Sequence, residues 1–204
     1  MTTTGFPEYF LDQGVPLFRM HRDGTHPAYF GNSGAMRFDP PPSHIAIFGT
    51  CYVAENEIAC ALEVLGGLRP IPSTEIDIRR VSEFEVVRPM RLANLLDRST
   101  AGRFHLDGTF SAGKVGLTPD SRARLATDLV PERERTKLLA AERFDDGFDG
   151  IIDKARHDPS LELKAFAIFA PPGEQPTMFT AAKTKVLSME LLDRLRDEFG
   201  YAIL

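Results

Sequence analysis

The stretch from His44 to Leu65 constrains the fold more than any other part of the chain. His44-Ile-Ala-Ile-Phe-Gly-Thr-Cys-Tyr-Val53 is apolar, β-branched and aromatic, ends at Ala54, and reads as a buried strand. A helix follows directly across Glu55 to Leu65: Ile58, Leu62 and Leu65 recur at i, i+4 and i+7, and Gly66-Gly67 supplies the stop. Glu63 sits about 100° around that helix from Leu62, at the edge of the core-facing stripe.

Around this pair, strands and helices mix without a regular βαβα order. Residues 1–15, rich in Thr, Gly and Pro, read as an irregular arm. Val15 to His21 reads as a short strand, broken by turn residues from Gly24 to Pro27. Tyr29 to Pro42, with Gly31, Gly34 and Pro40-Pro41-Pro42, favours a long loop, and Arg37 lies within it. Glu75 to Arg79 and Glu83 to Val87 alternate polar with apolar and read as exposed-face strands, a candidate pair. Residues 91–97 suit a short helix, and 102–116, punctuated by glycine, a mobile loop. Thr118-Pro119 and Val130-Pro131 each place proline where the first turn of a following helix tolerates it. Gly147 to Ile152, Leu163 to Ala170 and Met178 to Val186 are strand candidates, and Ser188 caps a last helix ending near Gly200. The expectation is an α+β fold, one domain over 16–204 behind the arm, rather than a doubly wound sheet or a barrel.

A chain of 204 residues can bury a core without disulfide or metal staples. Its formal net charge of −5 argues against a general nucleic-acid binder, which needs clustered Lys and Arg. No run approaches the roughly 20 apolar residues of a membrane span, and the N-terminus has neither a basic n-region nor an apolar h-region. Cys51 and Cys60 form no metal or redox motif and read as small core residues in a reducing compartment; the cytoplasm is the expected address.

His21, His26, His44, His105 and His157 are scattered, without the spacing of a zinc site, so no metal is expected. A Gly-x-Ser-x-Gly elbow, a phosphate loop and a Gly-x-Gly-x-x-Gly fingerprint are all absent. What remains is a spread constellation: Arg19 on the first strand, Arg37 in the loop, Tyr52 in the buried strand and Glu63 on the helix behind it. Spacing alone leaves each a bland alternative, as salt-bridged surface arginines, a core aromatic and a solvated carboxylate.

Three segments carry a resemblance. They are Pro16-Leu-Phe-Arg19-Met-His21, then Tyr29-Phe30 through Met36-Arg37-Phe38-Asp39-Pro40, then Cys51-Tyr52-Val53-Ala54 followed by Ile58-Ala-Cys-Ala-Leu-Glu63-Val64. Their order and wording resemble the RES-domain family, with a weaker echo from Asp149-Gly150-Ile151 to Arg156-His157-Asp158-Pro159 and at Ala165-Phe166-Ala167-Ile168-Phe169. The resemblance implies a fold similar to the ADP-ribosyltransferase core, a split pair of mixed β-sheets flanked by helices. It also implies a bacterial toxin that consumes NAD as substrate, with no separate cofactor, and is held inactive by a helix-turn-helix antitoxin. A second copy of the chain is a further candidate partner.

On that implication Glu63 stabilises the oxocarbenium-like ribose formed as the nicotinamide–ribose bond breaks. Arg19 and Arg37 hold the pyrophosphate, to which planar guanidinium forks are suited. Tyr52 packs on the nicotinamide or its ribose and fixes orientation. Arg19, Tyr52 and Glu63 are therefore the expected catalytic set, and Arg19, Arg37 and Tyr52 the expected substrate-binding set. The acceptor is open among water, phosphate and a protein side chain. One departure stands out: where relatives commonly have Tyr-x-Ser-Arg, this chain has Asp153-Lys154-Ala155-Arg156, and none of Ser111, Ser121 and Ser160 matches the missing serine. A catalytically silent protein that binds NAD or a protein partner is the alternative.

Overall fold

The computed structural model describes residues 5–97 and 132–204. Strand β4 (Gly49–Ala54) pairs along its whole length with β8 (Lys164–Ala170), from Gly49 opposite Ala170 to Ala54 opposite Ala165. Beyond β8 the sheet continues through β7 (Gly150–Lys154) and β6 (Met90–Asn94), a parallel pair, to the edge strand β1 (Glu8–Leu11). On the other side, β2 (Pro16–Arg22) pairs with β5 (Arg79–Glu85), and β5 with β10 (Lys183–Val186). The two halves are joined by a single register pair between β2 and β4, Phe18 opposite Ala54. Strands β3 (Tyr29–Phe30) and β9 (Gly173–Glu174) form a separate two-stranded sheet. Helices α1 (Glu57–Leu65), α2 (Ser73–Asp77), α3 (Glu132–Asp145) and α4 (Met189–Asp197) flank the strands. This is the expected α+β fold with a split, mixed sheet.

Side-chain alternation distributes the core. Met20, Ala54 and Val81 face α1 and α4, with Leu62, Leu65 and Leu195 fully buried between them. Ala93, Ile151, Ala167 and Phe169 meet Phe48 and the Leu139 to Ala141 stretch of α3. The alternate residues of the same strands, Leu17, Cys51, Val53, Phe84, Leu92, Ile152 and Ile168, form a third cluster with Phe30. The first two clusters therefore share one face of the sheet, and a gap separates them. Among the described residues no helix is long and apolar enough to cross a membrane.

Three expectations are corrected. The arm over 1–15 is not wholly irregular, because Glu8–Leu11 pairs with Met90 to Ala93 at the sheet edge. Ser73–Asp77 is helical where Glu75 to Arg79 reads as a strand. Two apolar residues at spacing two are too few to fix a period, and the i,i+4 pair Glu75–Arg79, at 2.7 Å, is the helical signal. Residues 90–94 form a strand where the sequence suits a helix: Leu92 and Ala93 are fully buried, with strands paired on both sides, so tertiary pairing overrides the helix propensity of Met-Arg-Leu-Ala. Boundaries also move. The run from His44 begins as turns, with the Ile47 and Phe48 amides donating to the His44 carbonyl, and becomes strand only at Gly49. The loop expected over 102–116 and the helix after Pro119 lie outside the described residues.

Candidate functional site

Helix α1 starts where Asn56 Oδ1 accepts from the Ala59 amide, a side-chain N-cap, and its stripe of Ile58, Leu62 and Leu65 is buried as the spacing requires. Glu63 is left half-buried at the edge of that stripe, and its Oε1 accepts from the Arg156 backbone N–H. Gly66 makes this approach feasible: a Cβ there would collide with the His157 side chain, the residue after Arg156.

Past the single Phe18–Ala54 pair, Arg19 to Arg22 and Val53 to Thr50 keep their outer partners β5 and β8 but do not pair with each other, and the sheet opens. Arg19 spans the opening. Its Nη1 donates to the Pro27 carbonyl at 2.5 Å and the Tyr29 carbonyl at 2.8 Å, and reaches Cys51 Sγ on β4 at 3.2 Å. A cavity of about 460 Å³ is lined by both strands, α1, the Arg37 loop and β7–β8, within the range typical of small-molecule sites. Ala54, Ala165 and Ala167 line it, and their short side chains leave the room between the two apolar clusters on this face.

Arg19, Arg37, Tyr52 and Glu63 all line this cavity. Arg37 is ion-paired to Asp153 at 2.5 Å, with both side chains largely buried, and its guanidinium lies 4.5 Å from the Phe38 ring centroid. Burial pushes the Asp153 carboxyl up, the Arg37 charge and the Lys154 amide pull it down, and the nearby Glu63 charge adds to the rise. The Tyr52 hydroxyl donates to Asp39 Oδ1 at 3.1 Å and accepts from the Phe38 amide at 2.9 Å. Burial first, then the Asp39 charge, holds that hydroxyl well above its ordinary pKa. Tyr52 thus offers the cavity a ring while its protonated hydroxyl pins the loop that carries Arg37.

Asp153 and Arg156 are the site residues that reading the sequence for function misses. Asp153 continues the apolar run Gly150-Ile-Ile on a strand flanked on both sides, which is the available signal for a buried, partnered charge. Arg156 is exposed at the cavity, and its guanidinium has no side-chain acceptor among the described residues. Ala155, at the position of the missing serine, is fully buried in the cluster under α1. Ser160 donates its hydroxyl to the Asp158 carboxylate, closing a turn, while Ser111 and Ser121 lie outside the described residues. No described serine lines the cavity. Cys51 and Cys60 are buried free thiols, both pushed up by desolvation, as suits core residues. Among the described residues no group of three or more His, Cys, Asp or Glu side chains is placed to hold a metal ion.

No family model and no curated protein matches the chain. Among solved structures, a chain of the M. tuberculosis MbcT-MbcA toxin-antitoxin complex is similar, with a TM-score of 0.58 and 14% sequence identity, over 92% of this chain and 91% of that one. The likeness is one of fold.

Proposed function

We propose that the chain is the toxin of a toxin–antitoxin pair and consumes NAD by breaking the nicotinamide–ribose bond. The observation that carries this reading is the convergence of Arg19, Arg37, Tyr52 and Glu63, residues spread over 45 positions of the sequence, on one cavity at the split of the sheet. The fold likeness to a toxin–antitoxin complex and the resemblance to RES domains support it.

In this reading the bonding pair leaves with nicotinamide, and positive charge develops on the ribose. Glu63, with Oε1 held by the Arg156 amide, keeps Oε2 for a ribose hydroxyl and stabilises that charge. Arg19 and Arg37 face the pyrophosphate, with Arg37 shared between it and Asp153. The Tyr52 ring orients the nicotinamide ribose; its hydroxyl stays protonated and takes no part as a base. An oxygen of water, phosphate or a protein side chain then bonds to the ribose carbon. A helix-turn-helix antitoxin is the proposed protein partner, the cytoplasm the proposed address, and a second copy a further candidate partner.

The test is nicotinamide release from NAD by the purified protein, with and without inorganic phosphate. Glu63→Gln keeps an acceptor for the Arg156 amide but removes the charge, and is expected to lower the rate about a hundredfold or more. Full activity in a folded Glu63→Gln variant refutes the assignment. The buried Ala155 favours a second reading, a catalytically silent NAD binder; calorimetric NAD binding without nicotinamide release would select it.

A further inference from the structure

Five arginines line the cavity, Arg19, Arg22, Arg37, Arg79 and Arg156, against two acids, Glu63 and Asp153. Asp153 is taken by Arg37. At the far end of β2, Arg22 stands directly opposite Arg79 in the antiparallel register. Opposed residues share a face with their Cβ atoms about 5 Å apart, where like charges repel. The face is the one that carries Met20 and Val81 toward α1, hence the side on which Glu63 lies.

One carboxylate serves this pair, and it is committed to one partner. Glu75 accepts from Arg79 Nε at 3.2 Å and Nη2 at 2.7 Å. The neighbouring Arg80 is paired to Asp23 at 2.6 Å. The Arg22 guanidinium is exposed and has no hydrogen-bonded acceptor among the described residues; it shares the field of Glu75 with Arg79 but makes no contact with that carboxylate, so two cations stand across the strand pair around one acid. Thr25 also lines the cavity, and its amide donates to the Arg22 carbonyl, which folds the turn back beside that arginine.

Arg22 lies three residues beyond Arg19, about 10 Å along an extended strand; this odd spacing sends the two side chains to opposite faces of β2, and they meet in one cavity only because both line the split beside that strand. With the pyrophosphate at Arg19, as proposed above, this is a reach comparable to one nucleoside. In doubly wound dinucleotide folds an arginine beside the adenosine ribose accommodates a 2′-phosphate, and the same charge pairing is open to an arginine on another fold. We infer that Arg22, with Arg79 and Thr25, forms a subsite for a phosphate monoester on the adenosine ribose, so that the preferred substrate class is the 2′-phosphorylated nicotinamide dinucleotide, NADP rather than NAD. The placement rests on the NAD-cleaving reading; the binding site itself does not require cleavage.

The same dianion chemistry would suit free inorganic phosphate, and the experiment separates the two. The full chain is titrated calorimetrically with adenosine 2′,5′-bisphosphate, with AMP and with inorganic phosphate. The bisphosphate is expected to bind about tenfold or more tightly than AMP, as suits a charge-assisted phosphate contact, and Arg22→Ala is expected to bring that ratio close to one. Equal affinity for the two nucleotides overturns the inference, as does an unchanged ratio in an Arg22→Ala protein that melts at the wild-type temperature. Inorganic phosphate displacing the bisphosphate at similar concentration also overturns it and assigns the arginines to a free phosphate. Because none of these probes contains nicotinamide, a protein that releases none from NAD or NADP refutes the cleavage reading while leaving the affinity ratio to decide the subsite.

Discussion

Tyr52→Phe removes one oxygen atom and leaves the ring that faces the cavity. In the wild-type protein that oxygen satisfies two groups of the Arg37 loop, accepting from the Phe38 amide at 2.9 Å and donating to Asp39 Oδ1 at 3.1 Å. Asp39 is 2% exposed, so neither group can readily turn to water. Asp39 keeps donors on Oδ2, from Ser33 Oγ and the Met36 amide, which limits the loss to one oxygen. Depriving the Phe38 amide of the Tyr52 oxygen costs about 1–3 kcal/mol, and removing one of several donors from the Asp39 carboxylate adds about 1 kcal/mol, giving about 2–4 kcal/mol together. In a chain of this length each kcal/mol moves the melting temperature about 2–4 °C, so Tyr52→Phe is expected to melt about 4–16 °C below wild type. Circular-dichroism melts measure this directly. Adding Asp39→Asn in a double-mutant cycle should recover a coupling of at least about 0.5 kcal/mol between the two side chains. A Tyr52→Phe protein melting within about 2 °C of wild type would refute the pinning role and return Tyr52 to a purely space-filling one.

The other expectations concern the neighbours of this loop. Asp153→Asn removes the Asp153 charge from the largely buried Arg37 and should cost about 3 kcal/mol in denaturant unfolding, whereas the paired replacement Arg37→Met/Asp153→Leu should recover much of that stability; equal stability of Asp153→Asn and wild type contradicts the pairing. Gly66→Ala should displace His157 and so pull the Arg156 amide from Glu63; nicotinamide release should fall with little change in secondary structure, and an unaltered rate counts against the contact. Burial lowers the folded-state pKa of His21 and His157 below the ordinary value of about 6.5. The folded state therefore binds fewer protons than the unfolded one, and the associated stability is complete above that value and lost as pH falls through it toward the folded pKa. Asp153, pushed up chiefly by burial, acts in the opposite sense: its contribution is present below the ordinary carboxylate range and is lost as pH rises through its folded-state pKa. The melting temperature should thus decline as pH falls below about 6.5, more shallowly in His21→Gln; a flat profile speaks against it.

Local signals carry the elements whose own residues determine them. The stripe of Ile58, Leu62 and Leu65 and the glycine stop locate α1, and with it the half-buried edge position of Glu63. Ser188 is the N-cap of α4, its hydroxyl accepting from the Leu191 amide as the sequence suggests. Elements whose identity depends on partners are less legible. Met90–Asn94 has the composition of a helix and becomes a strand because β1 and β7 supply ladders on both sides. The same distinction holds within the site. Arg19, Arg37, Tyr52 and Glu63 can be named one at a time, but the partner of Arg37 lies 116 residues away and is set by the placement of β7 between β6 and β8. Arg22 escapes notice for a related reason: it is a solvated strand end in sequence, and only the register places it opposite Arg79.

The split in the sheet accounts for why one arginine is drawn into both fold and site. A sheet that parted at Phe18–Ala54 would expose the backbone edges of β2 and β4, and unpaired buried amides and carbonyls are costly. Part of that edge is met by the 27–31 segment, whose Gly31 exchanges backbone hydrogen bonds with Thr50 at 2.7 and 3.0 Å. Gly49 permits this close approach, since a Cβ there would lie 2.6 Å from the Phe30 carbonyl oxygen. Arg19 completes the span by tying β2 to the Pro27 and Tyr29 carbonyls and to Cys51. A lysine, with one charged nitrogen on a flexible stem, can reach these acceptors but cannot at the same time present a second, fixed nitrogen to an anion; a guanidinium can, because Nη1 and Nη2 are held in one plane. The residue that closes the gap is for that reason also suited to face a phosphate within it, and the cavity exists where the sheet fails to pair rather than as a pocket added to a continuous one.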